Sequence, residues 1–428
     1  MRMSNLVSGW LVGLVLPGVA LAQGAATAEE RERLLLARIA ALEARLAALE
    51  ARLGNGERAV VCASPSAAPS AAVPTAAPAG AMVNFFFDGY TAWNANRPAN
   101  RTNLLRGYDG VAGGFGLNQT GLVVERAASA EDGRRWGFRL DLMAGQATDT
   151  LQGSRQNESR SEVYRHLFQA YGTYIVPVGR GVTVDFGKWA SALGPEGNYT
   201  KDQINYSRSY FFNYLPFYHM GFRVSYPLSR KWKVSYWLVN GANQTEDFNG
   251  YKSQLGQIVL QPTRNLSWTV NYYSGREQRE EAGRRAAPRG RLHLVDTYAF
   301  WNVTDRLMVG GEYDFAVNRE ESGGAPQRLT GGAAYLRYQM TRRTYFGQRY
   351  AWLRDSAGLF SGRTQNLQDV TATLGFRPVE GFETRFEFRR DASNRLFFPR
   401  GTAGRFSRHQ DTLTLGLLWW FGGKSGSW

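Results

Sequence analysis

The chain has 428 residues, of which 13% are aromatic and 48 are glycine, and its formal net charge is +15. One cysteine excludes both a disulfide scaffold and a zinc site built from four cysteines. After residue 22 no apolar run approaches the roughly 18 residues that a membrane-spanning helix needs, which excludes a helical membrane protein. Many aromatic residues and glycines without long apolar runs are typical of short alternating strands, so the composition predicts an all-β protein.

The first 22 residues have the pattern of a secretory signal peptide. Arg2 precedes an apolar stretch from Leu6 to Leu21, which ends in the small residues Ala20 and Ala22. We therefore expect cleavage after Ala22 and export from the cytoplasm. A basic chain often binds nucleic acid, but an exported protein rarely meets it, so we expect no nucleic-acid partner.

Residues 28–57 are predicted to form a short α-helical coiled coil in the periplasm. Arginines and glutamates flank the apolar seam at positions that face each other in a parallel partner, which favours association over a single helix packed on the barrel. Leucine at both kinds of core position leaves dimer and trimer open. The predicted core residues are Leu35, Ile39, Leu42, Leu46, Leu49 and Leu53.

Residues 58–81 are rich in alanine and proline and are predicted to be a linker, because they offer no apolar face to bury. Cys62 lies in this linker. Two interpretations of Cys62 stay open, an unpaired linker residue and a disulfide between coiled-coil partners.

From residue 82 onward apolar and polar residues alternate with a period of two, as in the segments 231–239 and 382–389. Sixteen such strands are predicted, with tight turns at almost every second connection and long polar loops at the others. An even strand number with short turns on one rim and long loops on the other is typical of an outer-membrane barrel and not of a β-sandwich. Residues 82–428 are therefore predicted to form a 16-stranded antiparallel transmembrane β-barrel.

The faces of the predicted barrel follow from the membrane. Hydrocarbon offers no partner to backbone N–H and C=O groups, so the sheet must close, with apolar side chains toward lipid and polar ones toward the lumen. The predicted pore-lining residues are Arg139, Asp141, Arg223, Lys231, Lys233, Glu312, Asp314, Arg337, Glu383, Arg385 and Arg389. The residues predicted to form aromatic girdles at the membrane interfaces are Trp93, Trp189, Tyr226, Trp301, Trp352 and Trp419.

Three segments carry a resemblance to a known family. They are FQAYGTYIVPVGRGVTVDFGKW at 168–189, INYSRSYFFNYLPFYHMGFRVSYPLS at 204–229 and WLVNGANQTED at 237–247. Together they resemble the OmpL-like family of bacterial β-barrel porins, which implies an outer-membrane barrel and supplies no catalytic residue. The coiled coil and linker are similar to those of some phosphate-selective porins, which implies a homotrimer.

The third long loop, predicted from residue 190 to 216, is unusually aromatic for a solvated segment. In trimeric porins the third loop commonly folds into the barrel, so the resemblance implies that this loop forms the constriction. The alternative is a loop that packs over the rim or against a neighbouring subunit. The predicted constriction residues are Tyr199, Lys201, Asp202, Tyr206, Arg208 and Tyr210.

These features predict a porin that lets small hydrophilic solutes or ions diffuse through a water-filled channel. Arginines in the long loops suggest a preference for anions, although they equally suit the phosphates of surrounding lipopolysaccharide, and loop tyrosines leave a sugar path open. A structural anchor whose coiled coil contacts the cell wall is an alternative. A barrel-embedded hydrolase is disfavoured, because the four histidines show no nucleophile or metal-ligand spacing. We expect no enzymatic activity, cofactor or metal.

Overall fold

The computed structural model describes residues 80–152, 158–278, 290–319 and 325–423, together with Ala40 and Ala44. Ala40 and Ala44 are helical, but the predicted coiled-coil core positions lie outside the described residues, as do the predicted signal peptide and nearly all of the linker. No helix within the described ranges is both long and apolar enough to cross a membrane.

Sixteen strands close into one antiparallel barrel, in which the first strand pairs with both the second and the last. The barrel strands are β1 Met82–Asn94, β2 Phe115–Arg126, β3 Trp136–Ala144, β4 Leu167–Val176, β5 Val182–Ala190, β6 Tyr218–Pro227, β7 Trp232–Val239, β8 Ser253–Thr263, β9 Leu266–Gly275, β10 Leu292–Asn302, β11 Leu307–Asn318, β12 Gln327–Gln339, β13 Thr344–Asp355, β14 Gln365–Val379, β15 Phe382–Ser393 and β18 His409–Gly422. The last long connection holds a two-stranded hairpin, β16 Phe398–Pro399 and β17 Phe406–Ser407. The helices are α1 Ala147–Gln152, α2 Ser161–Tyr164 and α3 Tyr210–Tyr214, with a 3-10 turn at Thr200–Asp202. The predicted barrel and its strand number are confirmed.

The two faces of the sheet differ as the alternation predicts. In β15 the charged residues Glu383, Arg385 and Arg389 are buried on the inner face. Phe386 and Phe388, between them, are 58% and 41% exposed on the outer face. Apolar side chains that point away from the enclosed space need a non-aqueous surrounding, which the bilayer supplies.

Most predicted girdle residues lie on the outer face, where Trp93, Trp301 and Trp352 are exposed. The prediction for Trp189 is wrong, because its side chain is 1% exposed and lies inside the barrel. Trp189 follows the inward-facing Asp185 by four positions, so the period of two places both on the same face. Inside, Trp189 packs edge-to-face on Trp237 with ring centroids 5.8 Å apart.

The connections alternate in length around the barrel. Short turns occupy 177–181, 228–231, 264–265, 303–306, 340–343 and 380–381. The connections on the opposite rim are longer and include 95–114, 145–166 and 191–217. In outer-membrane barrels the rim with short turns faces the periplasm, so the long loops face outward from the cell.

Leu374 offers a direct test of the outer face. It is exposed in the middle of β14 and pairs with Phe386, which pairs with Leu415. We expect Leu374→Arg to lower the free energy of unfolding in lipid vesicles by about 2 to 4 kcal/mol, because it places a charge in hydrocarbon. Val178→Arg, in an exposed short turn at the interface, is the matched control and is expected to cost less than about 1 kcal/mol. Equal losses in urea titrations of the two variants would contradict the lipid-facing assignment.

Candidate functional site

The lumen contains the connection between β5 and β6, residues 191–217, here called the inserted loop. Its base is narrow, because the Ser191 N–H donates to the Phe217 carbonyl at 2.9 Å. Between these ends the loop makes hydrogen bonds to inward side chains of β1–β3 and β13–β15, which form one continuous arc of the wall through β18. Tyr206, Ser207 and Arg208 are almost fully buried there.

Three tyrosines of the inserted loop each donate their hydroxyl to a carboxylate on a different strand. The Tyr206 hydroxyl donates to Asp88 Oδ1 of β1 at 2.7 Å. The Tyr210 hydroxyl donates to Asp391 Oδ1 of β15 at 2.8 Å, and the Tyr199 hydroxyl donates to Asp141 of β3. Burial raises the pKa of all three phenols well above the usual range, so each stays a donor across the physiological pH range.

The backbone of the inserted loop is held by charged side chains of the wall. Arg385 Nη1 donates to the Thr200 carbonyl at 2.9 Å and Arg349 Nη1 donates to the Ser207 carbonyl at 2.8 Å. Glu387 Oε1 accepts from the Ser207 N–H at 2.9 Å. Hydrogen bonds to charged groups contribute about 1.5 to 3 kcal/mol each, so the loop is fixed on the side of β1–β3 and β13–β15.

Other predicted constriction residues bond within the loop. Arg208 donates through Nη1 to the Tyr206 carbonyl at 2.7 Å and through Nε to the Gly197 carbonyl at 3.0 Å. Lys201 Nζ lies 2.7 Å from Asp202 Oδ1. Arg208 therefore stabilises the conformation of the inserted loop through hydrogen bonds within it.

Space remains along the wall formed by β3–β7. A loop-side cavity of about 420 Å³ is lined by Arg139, Phe168, Leu193 and Arg223 among others. A turn-side cavity of about 380 Å³, nearer the short turns, is lined by Glu125, Asp185, Lys233 and again Arg223. The two cavities share Arg223, Ala190 and Ser191, so they adjoin along the barrel axis.

A far cavity of about 290 Å³ lies on the other side of the inserted loop. Its charged lining includes Lys201, Arg337, Arg377 and Glu383. It shares Asp202 and Gln203 with the loop-side cavity. These two loop residues therefore stand between the two spaces.

The model of the family described as "Putative beta-barrel porin-2, OmpL-like" matches residues 82–421. The chain belongs to this porin family. As such, it is an outer-membrane β-barrel protein. No curated protein sequence matches it significantly.

Several solved outer-membrane proteins share the fold of this porin. The outer-membrane channel DcaP of Acinetobacter baumannii is 12% identical, with a TM-score of 0.51 over 81% of this chain and 99% of that chain. An anion-selective porin from Comamonas acidovorans is 10% identical, with a TM-score of 0.53 over 80% and 99% of the two chains. OprB of Pseudomonas putida is 13% identical, with a TM-score of 0.53 over 80% and 94%. At these identities the likeness shows the fold alone.

The structure sorts the predicted pore-lining residues of the porin into two groups. Those that border one of the three cavities are Arg139, Arg223, Lys233, Arg337, Glu383 and Arg385. Asp141, Glu312, Asp314 and Arg389 face inward but are buried, and Asp141 and Arg389 bond to the inserted loop. Lys231 is placed wrongly by the prediction, because it lies exposed in the turn before β7 and not on the wall.

Arg223 occupies the junction of the loop-side and turn-side cavities of the porin. Its Nε donates to Asp185 Oδ2 at 2.8 Å, and its guanidinium lies 5.0 Å from the Trp189 ring and 5.2 Å from the Trp237 ring. Cation–π contacts and one carboxylate hold the guanidinium in place beside the open space. The guanidinium therefore borders both cavities where they adjoin.

Several wall residues that matter here were missed from the sequence. Arg349 and Asp391 hold the inserted loop, and Asp296 lies beside its base. All three occupy inward positions of β13, β15 and β10, so the same alternation could have identified them. Nothing in the local sequence indicates that the loop contacts them.

Proposed function

We propose that this porin forms a water-filled path through which small hydrophilic solutes and ions diffuse passively across the outer membrane. The observation that carries the proposal is the position of the inserted loop. It is fastened to the β1–β3 and β13–β15 walls, and adjoining cavities remain beside β3–β7. The loop would narrow the barrel to the size of small solutes, and Arg223 would stand at the narrow point.

The lining of the path supports only weak charge selectivity. Its cations Arg139, Arg223 and Lys233 face carboxylates such as Asp185 and Glu125, so strong discrimination is not expected from the wall. We propose a mild preference for anions, set by arginines in the outward-facing loops, which would raise the local anion concentration at the mouth. Among the described residues these include Arg276, Arg291, Arg395, Arg400, Arg405 and Arg408.

The assembly is proposed from the N-terminal sequence. After export, residues 28–57 would form a periplasmic coiled coil that joins three barrels, with the linker as a spacer. The same loop arginines would bind phosphates of lipopolysaccharide around the rim. Contact of the coiled coil with the cell wall would follow from its periplasmic position.

Solute entry into vesicles tests the proposal. The full-length mature protein, refolded into liposomes, is expected to admit a small neutral sugar such as arabinose and to admit the tetrasaccharide stachyose much more slowly, measured by light scattering during osmotic swelling. Liposomes with heat-unfolded protein are the control. Swelling rates equal to those of the control would overturn the channel and favour the structural anchor, for which the extensive burial of the inserted loop is the supporting observation.

A further inference from the structure

A row of polar side chains crosses neighbouring strands on the inner face. Asn271 of β9, Asp296 of β10 and Asp314 of β11 occupy paired register positions. Glu312 precedes Asp314 by two residues and shares its face. The three buried carboxylates offer oxygens that all lie within 4.8 Å of one another. Oxygens bound to one calcium ion at about 2.4 Å also lie at most about 4.8 Å apart.

This acidic cluster, Asp296, Glu312 and Asp314, differs from other carboxylates of the lumen. Asp141 pairs with Arg139 at 2.9 Å, and Asp185 pairs with Arg223 at 2.8 Å. Within the described ranges no lysine or arginine forms an ion pair with any member of the cluster. Buried negative charge without a counter-charge is costly, so either bound protons or a bound cation must neutralise this cluster.

A neutral side chain independently points to a ligand at the cluster. Asn271 is fully buried, and its Nδ2 donates to Asp296 Oδ2 at 2.6 Å. The Oδ1 atom of the same amide accepts no hydrogen bond from any described residue. Because the two amide atoms share one carbon, this free oxygen lies no farther than about 5 Å from the Asp296 carboxylate. Both carboxylate oxygens of Asp314 and Oδ1 of Asp296 are likewise without a donor among the described residues.

The cluster lies at the base of the inserted loop. The Ala192 carbonyl accepts from Asn271 Nδ2 at 2.9 Å. A side chain at Gly194 would come within 3.4 Å of Glu312 Oε1. Whatever binds the cluster therefore joins β9–β11 to the first residues of the loop.

We propose that Asp296, Glu312, Asp314 and the Asn271 amide oxygen bind a hard divalent cation, and specifically Ca²⁺. All of the available donors are oxygens, which excludes a preference for zinc or copper. The donors come from three strands in an irregular arrangement, which suits the flexible six- to eight-fold coordination of Ca²⁺ better than the strict octahedron of Mg²⁺. The site does not depend on the proposed channel, because binding is measured whether or not the barrel conducts.

Calorimetric titration of the chelator-treated, refolded full-length protein with CaCl₂ tests the site. We expect one Ca²⁺ per chain, Mg²⁺ binding at least tenfold weaker, and a tenfold or greater loss of Ca²⁺ affinity in Asp314→Asn. Asp185→Asn removes one lumen carboxylate on another wall and is expected to leave Ca²⁺ binding unchanged. Folding of each variant is checked by heat-modifiable gel mobility. Should Asp314→Asn fail to fold, Glu312→Gln takes its place.

A second readout uses terbium, whose luminescence is sensitised by nearby tyrosine. Tyr335 donates its hydroxyl to Glu312 Oε2 at 2.8 Å and is close enough to act as the sensitiser. We expect terbium luminescence that Ca²⁺ displaces and that Tyr335→Phe reduces. Absence of Ca²⁺ binding, unchanged binding in Asp314→Asn, or tighter binding of Mg²⁺ would overturn the proposal. Absence of binding would mean that shared protons neutralise the cluster, and unchanged binding in Asp314→Asn would mean that Ca²⁺ binds elsewhere.

Discussion

Removal of residues 193–215, with a short glycine–serine turn in their place, is expected to raise the single-channel conductance of the porin several-fold. The cut is possible because Ser191 and Phe217 are already hydrogen-bonded to each other at 2.9 Å. The remaining ends can therefore be joined without moving β5 or β6. Conductance of the shortened variant in planar bilayers is compared with that of the full-length protein at the same salt concentration.

The expected increase follows from where the loop lies. The loop is held by hydrogen bonds to Asp88, Asp391 and Arg385. It therefore occupies the β1–β3 and β13–β15 side of the lumen. Without the loop these charged groups would face water, which hydrates them, and the strand pairing that closes the barrel would be unchanged. A lumen of sixteen strands is wide enough to be an aqueous channel when no segment occupies it.

Milder variants separate loop position from loop removal. The triple substitution Tyr199→Phe, Tyr206→Phe and Tyr210→Phe removes the three hydroxyls that bind wall carboxylates and is expected to give frequent, noisy transitions to larger conductance. Tyr236→Phe, on the exposed outer face, is the matched control. If the shortened variant conducted no more than the full-length protein, the inserted loop would not be the constriction.

Arg223→Glu is expected to shift the selectivity of the channel strongly toward cations. The substitution replaces the cation at the junction of two cavities by a carboxylate beside Asp185, which is 2.8 Å from Arg223 Nε. Two adjacent negative charges in a narrow, poorly screened space attract cations and repel anions. The reversal potential in a KCl gradient is expected to move toward the K⁺ equilibrium potential.

Lys231→Glu is the matched control for this charge reversal. Lys231 lies in the exposed turn before β7, so salt screens it from the lumen. We expect its reversal potential to stay close to that of the unmodified porin. Equal shifts for the two variants would show that overall charge at the mouth sets selectivity and that Arg223 does not lie at the narrow point.

The sequence predicts the barrel because its signals are local and repeated. In β15 each phenylalanine is followed by a charged residue, and the membrane allows only one orientation of such a strand. The same period of two predicts an inward orientation for Arg139, Arg223 and Arg385, which border the cavities. The girdle prediction for Trp189 is wrong because a position near a strand end suggests a girdle residue, whereas the period from Asp185 places the side chain inside.

The interior of the barrel depends on contacts that are distant in the chain. Alternation shows that Arg389 faces inward, but it does not show that Arg389 donates a hydrogen bond to the Arg208 carbonyl of the inserted loop. Likewise, no motif spacing joins Asn271, Asp296 and Glu312, which only the strand register brings together. The expectation of no metal depends on motif spacing along the chain. Such spacing cannot reveal a cluster whose residues come from different strands.

The central claim is that water and ions pass beside the inserted loop. Planar-bilayer recording of the purified, full-length mature protein tests this claim most directly. We predict uniform stepwise increases in current as single barrels insert, with a conductance that rises in proportion to the bulk conductivity of KCl. A flat current from protein shown to be folded and inserted would contradict the claim, since it would mean that the loop seals the lumen.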